Sequence, residues 1–225
     1  MDTLILYHAS SRIISMPVPE GSSDINDFGS GFYLAQSKEA AFQWAVSRGE
    51  SGFVNKYELN TENLNILDLY SGENGILNWL CVVLENRSFR ISDPAVARAC
   101  DYIRKNFYTD ISGYDAVRGC RADEIYFFFI KAFLGSTLSL GQFKRLMDLG
   151  PVGEQIVLKS EEAFSALRFV SFEGSDAAFA YPRKKTRNDN ALASFYAETD
   201  LGDEGGIYMR DILREEIKAD DERLR

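Results

Sequence analysis

Apolar and polar positions alternate along this chain in blocks that read as short strands and amphipathic helices. Thr3 to His8 is almost continuously apolar and predicts a buried strand. A polar loop follows with Pro17, Pro19, Gly21 and two serines, and Asp27 to Ala35 is a glycine-punctuated turn entering a short extended piece. Ser37 is suited to cap a helix with Glu39 in its first turn, and Ala40, Ala41, Trp44 and Ala45 form one stripe up to Gly49. Phe53 to Leu59 alternates and predicts a half-exposed strand, and Leu64 to Leu69 predicts another. Leu77, Leu80, Cys81 and Leu84 share one helical face. Asp93-Pro94 pairs an N-cap with an N1 proline, and Val96, Ala99, Cys100, Ile103 and Phe107 continue that helix's buried side.

Tyr114 to Val117 predicts a short strand, and Asp123 to Leu134 a largely buried helix, apolar nearly all round. Ser139 caps a further helix that turns Leu140, Phe143, Leu146 and Met147 inward and stops at Gly150. Glu154 to Leu158 predicts a strand, Ser160 caps a short helix through Leu167, and Arg168 to Phe172 reads as the last core strand. Strands and helices mix without regular βαβ alternation, so the class is α+β. Composition changes after residue 172. Glu173 to Gly206 carries glycine, a basic run from Arg183 to Arg187 and an acidic one from Asp200 to Glu204. It reads as irregular, with the basic run a solvated loop or, alternatively, a contact for nucleic acid or an acidic protein patch, before a charged C-terminal helix faced by Tyr208, Ile212, Leu213 and Ile217. The expected division is a catalytic domain over 1–172 and a charged segment over 173–225.

With 16 Phe and 11 Tyr in 225 residues, the chain has ample material for a core. A net charge of −9 argues against nonspecific binding to nucleic acid or an anionic membrane. Cys81, Cys100 and Cys120 are an odd, scattered set, read as reduced, buried thiols. One histidine and dispersed cysteines make no metal-ligand cluster, so no metal is expected. The first residues carry no secretory signal pattern and no apolar run is long enough to span a membrane. The expected location is cytoplasmic, or a target cell reached by a non-Sec route.

Three short segments carry candidate chemistry. The lone His8 ends the first strand and is followed by the small residues Ala9 and Ser10, which let a ligand approach the main chain. Tyr33 follows Gly29-Ser30-Gly31-Phe32, and Glu154 begins a strand behind Gly150-Pro151-Val152-Gly153. Arg121 and Asp123 flank a strand-to-helix junction, where an ion pair or cap is the plain reading and acceptor binding the sharper one. Tyr57 reads as core.

Tyr7-His8-Ala9-Ser10, Gly29-Ser30-Gly31-Phe32-Tyr33-Leu34-Ala35 and Glu154-Gln155-Ile156-Val157, in that order, resemble the motifs of diphtheria-toxin-like and poly(ADP-ribose)-polymerase-like ADP-ribosyltransferases. Asp27-Phe28-Gly29, Tyr114-Asp115-Ala116-Val117, Arg121-Ala122-Asp123 and Gly153-Glu154-Gln155 resemble more closely a bacterial group of that superfamily known as DUF3990, over roughly residues 3 to 172. The resemblance implies two small packed sheets with NAD, the co-substrate, in the cleft between them. It implies a His8-Tyr33-Glu154 triad. His8 would bond the adenosine ribose, the Ala9 main chain the carboxamide, and Ser10 near the nicotinamide ribose. Tyr33 would stack on nicotinamide, and Glu154 would stabilise the oxocarbenium-like state. A register shifted by one residue would put Gln155 in the catalytic place; the alternation along the strand leaves the two on opposite faces.

The implied function is mono-ADP-ribosyl transfer from NAD to a macromolecular acceptor, protein rather than nucleic acid. Its setting would be a bacterial toxin, effector or toxin-antitoxin component with an antitoxin partner. NAD glycohydrolysis is one rival, and an inactive member that binds NAD or a partner is another.

Overall fold

A computed structural model describes residues 3–18, 26–69, 75–87, 91–148 and 153–224. Pro19, Gly21 and the serines of the first loop lie outside these residues, as do Gly150, Pro151 and Val152.

The fold is mixed α and β. Strands β1 (Thr3–Ser10), β2 (Phe32–Ala35), β3 (Gly52–Asn60), β4 (Ile66–Asp68), β5 (Ala116–Cys120), β6 (Glu154–Leu158) and β7 (Leu167–Ser175) form one sheet in the order β4-β5-β6-β2-β1-β3-β7. The two separate sheets expected from the sequence are therefore one. The reason is β2, which pairs with β6 along its whole length and with β1 on its other side. That second junction is narrow, with a single registered pair, Tyr7 opposite Ala35, after which β1 and β2 part. By contrast β1 and β3 pair from Thr3–Asn60 through Ser10–Phe53.

Helices are α1 (Lys38–Trp44), α2 (Ile76–Asn86), α3 (Pro94–Asn106), α4 (Glu124–Leu134), α5 (Leu140–Met147), α6 (Glu161–Ser165), α7 (Ala177–Leu201) and α8 (Met209–Arg214). Several start where a capping side chain dictates. Ser37, Asp93 and Ser160 accept from the amides of Ala40, Ala95 and Ala163, and Ser139 makes a full capping box with Gln142. Helices α2 to α5 bury Trp79, Leu80, Ile103, Phe129, Phe133 and Phe143 in the main core against Val117 and Val157. Phe133 and Phe143 stack there at 4.8 Å. The other sheet face buries Leu6, Leu34, Tyr57, Ile156 and Leu158 under α6.

Two sequence expectations fail at the C-terminal side. Strand β7 is an edge strand with most positions exposed, not a core strand, because only β3 pairs with it. Glu173 to Gly206 is not irregular, for the 25-residue α7 fills most of it. This helix buries only Ala177, Ala180, Ala191 and Phe195, a face too sparse to register as a pattern, and it packs on α1, α4 and α5. All three cysteines are buried and free. Burial pushes the Cys81 thiol up to about 11, which keeps it protonated and unreactive. No helix among the described residues is long and apolar enough to cross a membrane.

Candidate functional site

Where β1 and β2 part, a cavity of about 640 Å³ opens. Cross-strand partners share a sheet face, so Tyr33, Ala35, Gln155 and Val157 lie on the α1 side and Phe32, Leu34, Glu154 and Ile156 on the other. The cavity takes its walls from both faces: His8 and Phe32 from one, Tyr33, Trp44 and Gln155 from the other.

His8 bridges the parting strands. Its Nδ1 lies 2.7 Å from the Tyr33 carbonyl oxygen, and its ring stacks on Phe32 at 4.2 Å. A carbonyl only accepts, so Nδ1 carries the proton and Nε2 is left as an acceptor. Burial lowers the His8 pKa below 6.5, the bond to Tyr33 opposing it in part, so the ring is neutral at pH 7.

Tyr33 has no hydroxyl to offer a ligand. Its oxygen accepts from Phe28 N–H at 2.9 Å and donates to Gly29 C=O at 2.7 Å, closing its own turn. Burial pushes its pKa up, which keeps it a donor. What it presents to the cavity is its ring. Lys159 Nζ holds the same turn through the carbonyls of Phe28 and Ser30 at 2.9 and 3.0 Å. Gly31 is obligatory there: its φ is +153°, and an added Cβ would sit 2.3 Å from Val157 and 2.6 Å from the Leu158 carbonyl oxygen. Gly31→Ala is expected to lower stability by about 2–3 kcal/mol in urea denaturation, because β2 must shift off β6.

Asp27 organises the inner wall. It is 6% exposed. Its oxygens accept from Arg87 at 2.9 Å, Ala122 N–H at 2.8 Å and Gln155 Nε2 at 2.8 Å. Since a carboxylate cannot donate, Gln155 must turn its Nε2 to Asp27, which leaves Oε1 as that side chain's acceptor. The outer rim is held by the buried Asn55, which accepts from Ile14 N–H at 2.9 Å and donates to Ser10 Oγ at 3.1 Å. Tyr57, fully buried as expected, donates to the Ile14 carbonyl.

The predicted residues separate. His8 and Tyr33 meet across the cavity. Ala9 and Ser10 lie beyond the last β1–β2 pair but are not among the cavity walls, and Ser10 is occupied by Arg12 and Asn55. Glu154 is also outside the walls. It is buried on the other sheet face and accepts from Arg118 at 2.7 Å, with Asp68 3.5 Å from the same guanidinium. Gln155 stands in the cavity instead. Asp123 stands at the N-cap position of α4 but its side chain makes no capping bond; it pairs instead with Arg187 of α7 at 2.9 Å. Arg121 lies 4.0 Å over the Trp44 ring.

Sequence reasoning passed over Asp27, Trp44, Lys184 and Asn188 as site residues. Asp27 left a trace as a carboxylate placed directly before a glycine turn, and Lys184 as part of the basic run from Arg183 to Arg187. No group of histidine, cysteine or carboxylate side chains among the described residues could hold a metal.

No curated protein matches the chain. Residues 4–169, which supply β1 through α6 and most of the cavity wall, match the family described as a protein of unknown function, DUF3990, and the chain belongs to that family.

Proposed function

We propose that the cleft between β1 and β2 binds NAD and that the protein transfers ADP-ribose from it to a macromolecular acceptor. The observation that carries this reading is the meeting of His8, Tyr33 and Gln155 around one cavity at the place where the sheet splits. The volume suits a dinucleotide portion, and the aromatic walls with a few directed polar groups suit a ligand with flat rings and ribose hydroxyls. Neutral His8 accepts a ribose hydroxyl at Nε2. The ring face of Tyr33 takes the nicotinamide. Gln155 Oε1, held by Asp27, accepts from the nicotinamide ribose.

The reaction breaks the bond between nicotinamide nitrogen and C1′ of the ribose. Positive charge develops on the sugar, nicotinamide leaves with the bonding pair, and an acceptor nucleophile bonds to C1′ and gives up its proton. Gln155 orients the ribose and offers a carbonyl dipole to the developing charge. A dipole stabilises that charge less than a carboxylate does. The neutral Gln155 at this place favours a second reading, NAD binding with slow or no turnover.

Labelled NAD incubated with the protein and a lysate separates the readings. Label on macromolecules with free nicotinamide supports transfer; nicotinamide alone supports hydrolysis; binding without either supports the second reading. A calorimetric titration showing no NAD binding would reject the proposal. His8→Ala is expected to weaken NAD by about tenfold, the worth of one directed hydrogen bond.

The depressed His8 pKa gives a sign for pH. Above 6.5 the ring is neutral whether folded or not, so both stability and NAD affinity should be flat in this group. As pH falls below 6.5 the unfolded chain takes up the proton before the folded one does, and stability declines until the lowered folded pKa is passed. NAD affinity should hold through that window and fall only as pH drops through the lowered pKa of the folded protein, since a protonated Nε2 cannot accept. Affinity measured from about pH 8 to about pH 5 checks this.

A further inference from the structure

At one end of the cavity Arg121 and Lys184 lie in the wall with Arg187 behind them, and Asp27, Asp123 and Glu124 are the wall carboxylates that face this group. Arg121, at the β5–α4 junction, makes no ion pair within the described residues and lies against Trp44. Among the described residues, Lys184 of α7 reaches only the Val46 carbonyl, at 3.3 Å. Arg187, one turn further along α7, donates through one nitrogen to Asp123 and Asn188, while its buried Nε donates to nothing described. Trp44 Nε1 is likewise a buried donor without a partner among the described residues. Asp123 and the exposed Glu124 are the carboxylates that bear on Lys184, and Arg121 and Arg187 bear on it with the opposite sign. Burial pushes the pKa of both Lys184 and Arg121 down. Crowding like charges in a sheltered cleft is unfavourable unless an anion completes the cluster.

Two further facts fit an anion. The start of α4 faces this end of the cavity, since Asp123 and Glu124 line it beside Lys184. Asp123 makes no side-chain capping bond to that helix, and the exposed Glu124 in its first turn answers only part of its dipole. A guanidinium and an ammonium together offer forked and point donors, the pairing suited to phosphate oxygens.

We infer that Arg121, Lys184 and Arg187 form a binding site for a phosphate or diphosphate group, completed by a helix that lies outside the family segment. The site deepens the NAD reading without depending on it. The phosphate could belong to the NAD diphosphate or to a phosphoryl group of the acceptor; the chemistry is the same, and competition distinguishes them. Helix α7 then has a reason to lie across the cleft: it contributes Lys184 and Asn188 to its wall, and its Arg187 pairs with the wall residue Asp123.

The test is calorimetric titration of the full chain with inorganic pyrophosphate at constant ionic strength, without NAD. Saturable one-site binding is expected. Lys184→Gln should weaken it about tenfold, as loss of one charge-assisted contact does. Lys185→Gln, a neighbour paired with Asp189, should leave it unchanged. Arg121→Gln should weaken it at least as much as Lys184→Gln, provided its thermal midpoint matches the parent. Absence of binding, or equal effects of Lys184→Gln and Lys185→Gln, overturns the proposal. If NAD displaces pyrophosphate, the site takes the diphosphate of NAD. If both bind together, it takes an acceptor phosphate. Pyrophosphate binding without NAD binding would sink the NAD reading and keep this one.

Discussion

Asp27→Ala is expected to be among the most damaging single substitutions at the site, costing roughly 3 kcal/mol of folding stability. Three donors converge on this buried carboxylate: the Arg87 guanidinium, the Ala122 amide and the Gln155 carboxamide. Truncation leaves all three without that acceptor. Water can reach Arg87, which is 30% exposed at its side chain and also bonds the Ala122 carbonyl, so its share of the loss is moderate. The Ala122 amide is buried, and Gln155, also buried, keeps only a long bond to the Cys120 carbonyl at 3.5 Å. Asp27→Asn should fall between, since its oxygen still accepts while its amide nitrogen points donors at donors. Urea denaturation with an unchanged m-value measures both. A loss below about 1 kcal/mol for Asp27→Ala would mean the three bonds are replaced by solvent, and Asp27 would not be the organiser of the wall.

The same network shows where the sequence was legible and where it was not. Ser37, Asp93, Ser139 and Ser160 announce helix starts because a cap is a local device, decided within four residues. Strand β6 was readable with its bounds, since an apolar run between polar flanks is also local. His8 and Tyr33 could be singled out from their small or glycine neighbours. Asp27, Trp44 and Lys184 could not, because their roles come from partners 95, 77 and 138 residues away in sequence: the Ala122 amide, Arg121 above the Trp44 ring, and the Val46 carbonyl. The joining of the sheet rests on one pair, Tyr7 with Ala35, which no pattern of residue types reveals.

Helix α7 was hidden for a different reason. Pro182 stands inside it and argues against a helix, removing the amide that would bond Ala178. Charged residues crowd its middle and only four side chains are buried. Its stability comes from tertiary contacts instead: Arg187 with Asp123, Arg145 with Glu198 at 2.7 Å, and Phe195 stacked on Phe129 at 5.8 Å. These contacts tie it to α4 and α5 and so to the cleft.

The sharpest expected result concerns the two neighbours at the start of β6. Alternation places Glu154 and Gln155 on opposite faces, but only the pairings of β6 with β2 and β5 decide which face meets the cavity. Gln155 lies opposite Ala35, beside the Tyr33 ring, and enters it. Gln155→Ala is therefore expected to cut nicotinamide release about a hundredfold, the effect of removing one directed group from a charge-developing centre. If turnover is absent in the parent, the same variant should weaken NAD binding in a titration. Glu154→Gln should leave release within a few-fold, because its carboxylate serves Arg118 behind the sheet and Asp68 still faces that guanidinium. Gln155→Glu adds a third, discriminating arm. Its carboxylate would lie against Asp27, where Gln155 now donates at 2.8 Å. Two carboxylates that close cannot both ionise without a penalty, so one would hold a proton near neutral pH. Stability should drop, and any gain in turnover should appear only as pH rises and the shared proton leaves. Release abolished by Glu154→Gln and untouched by Gln155→Ala would reverse the assignment and return the chemistry to the face bearing Glu154.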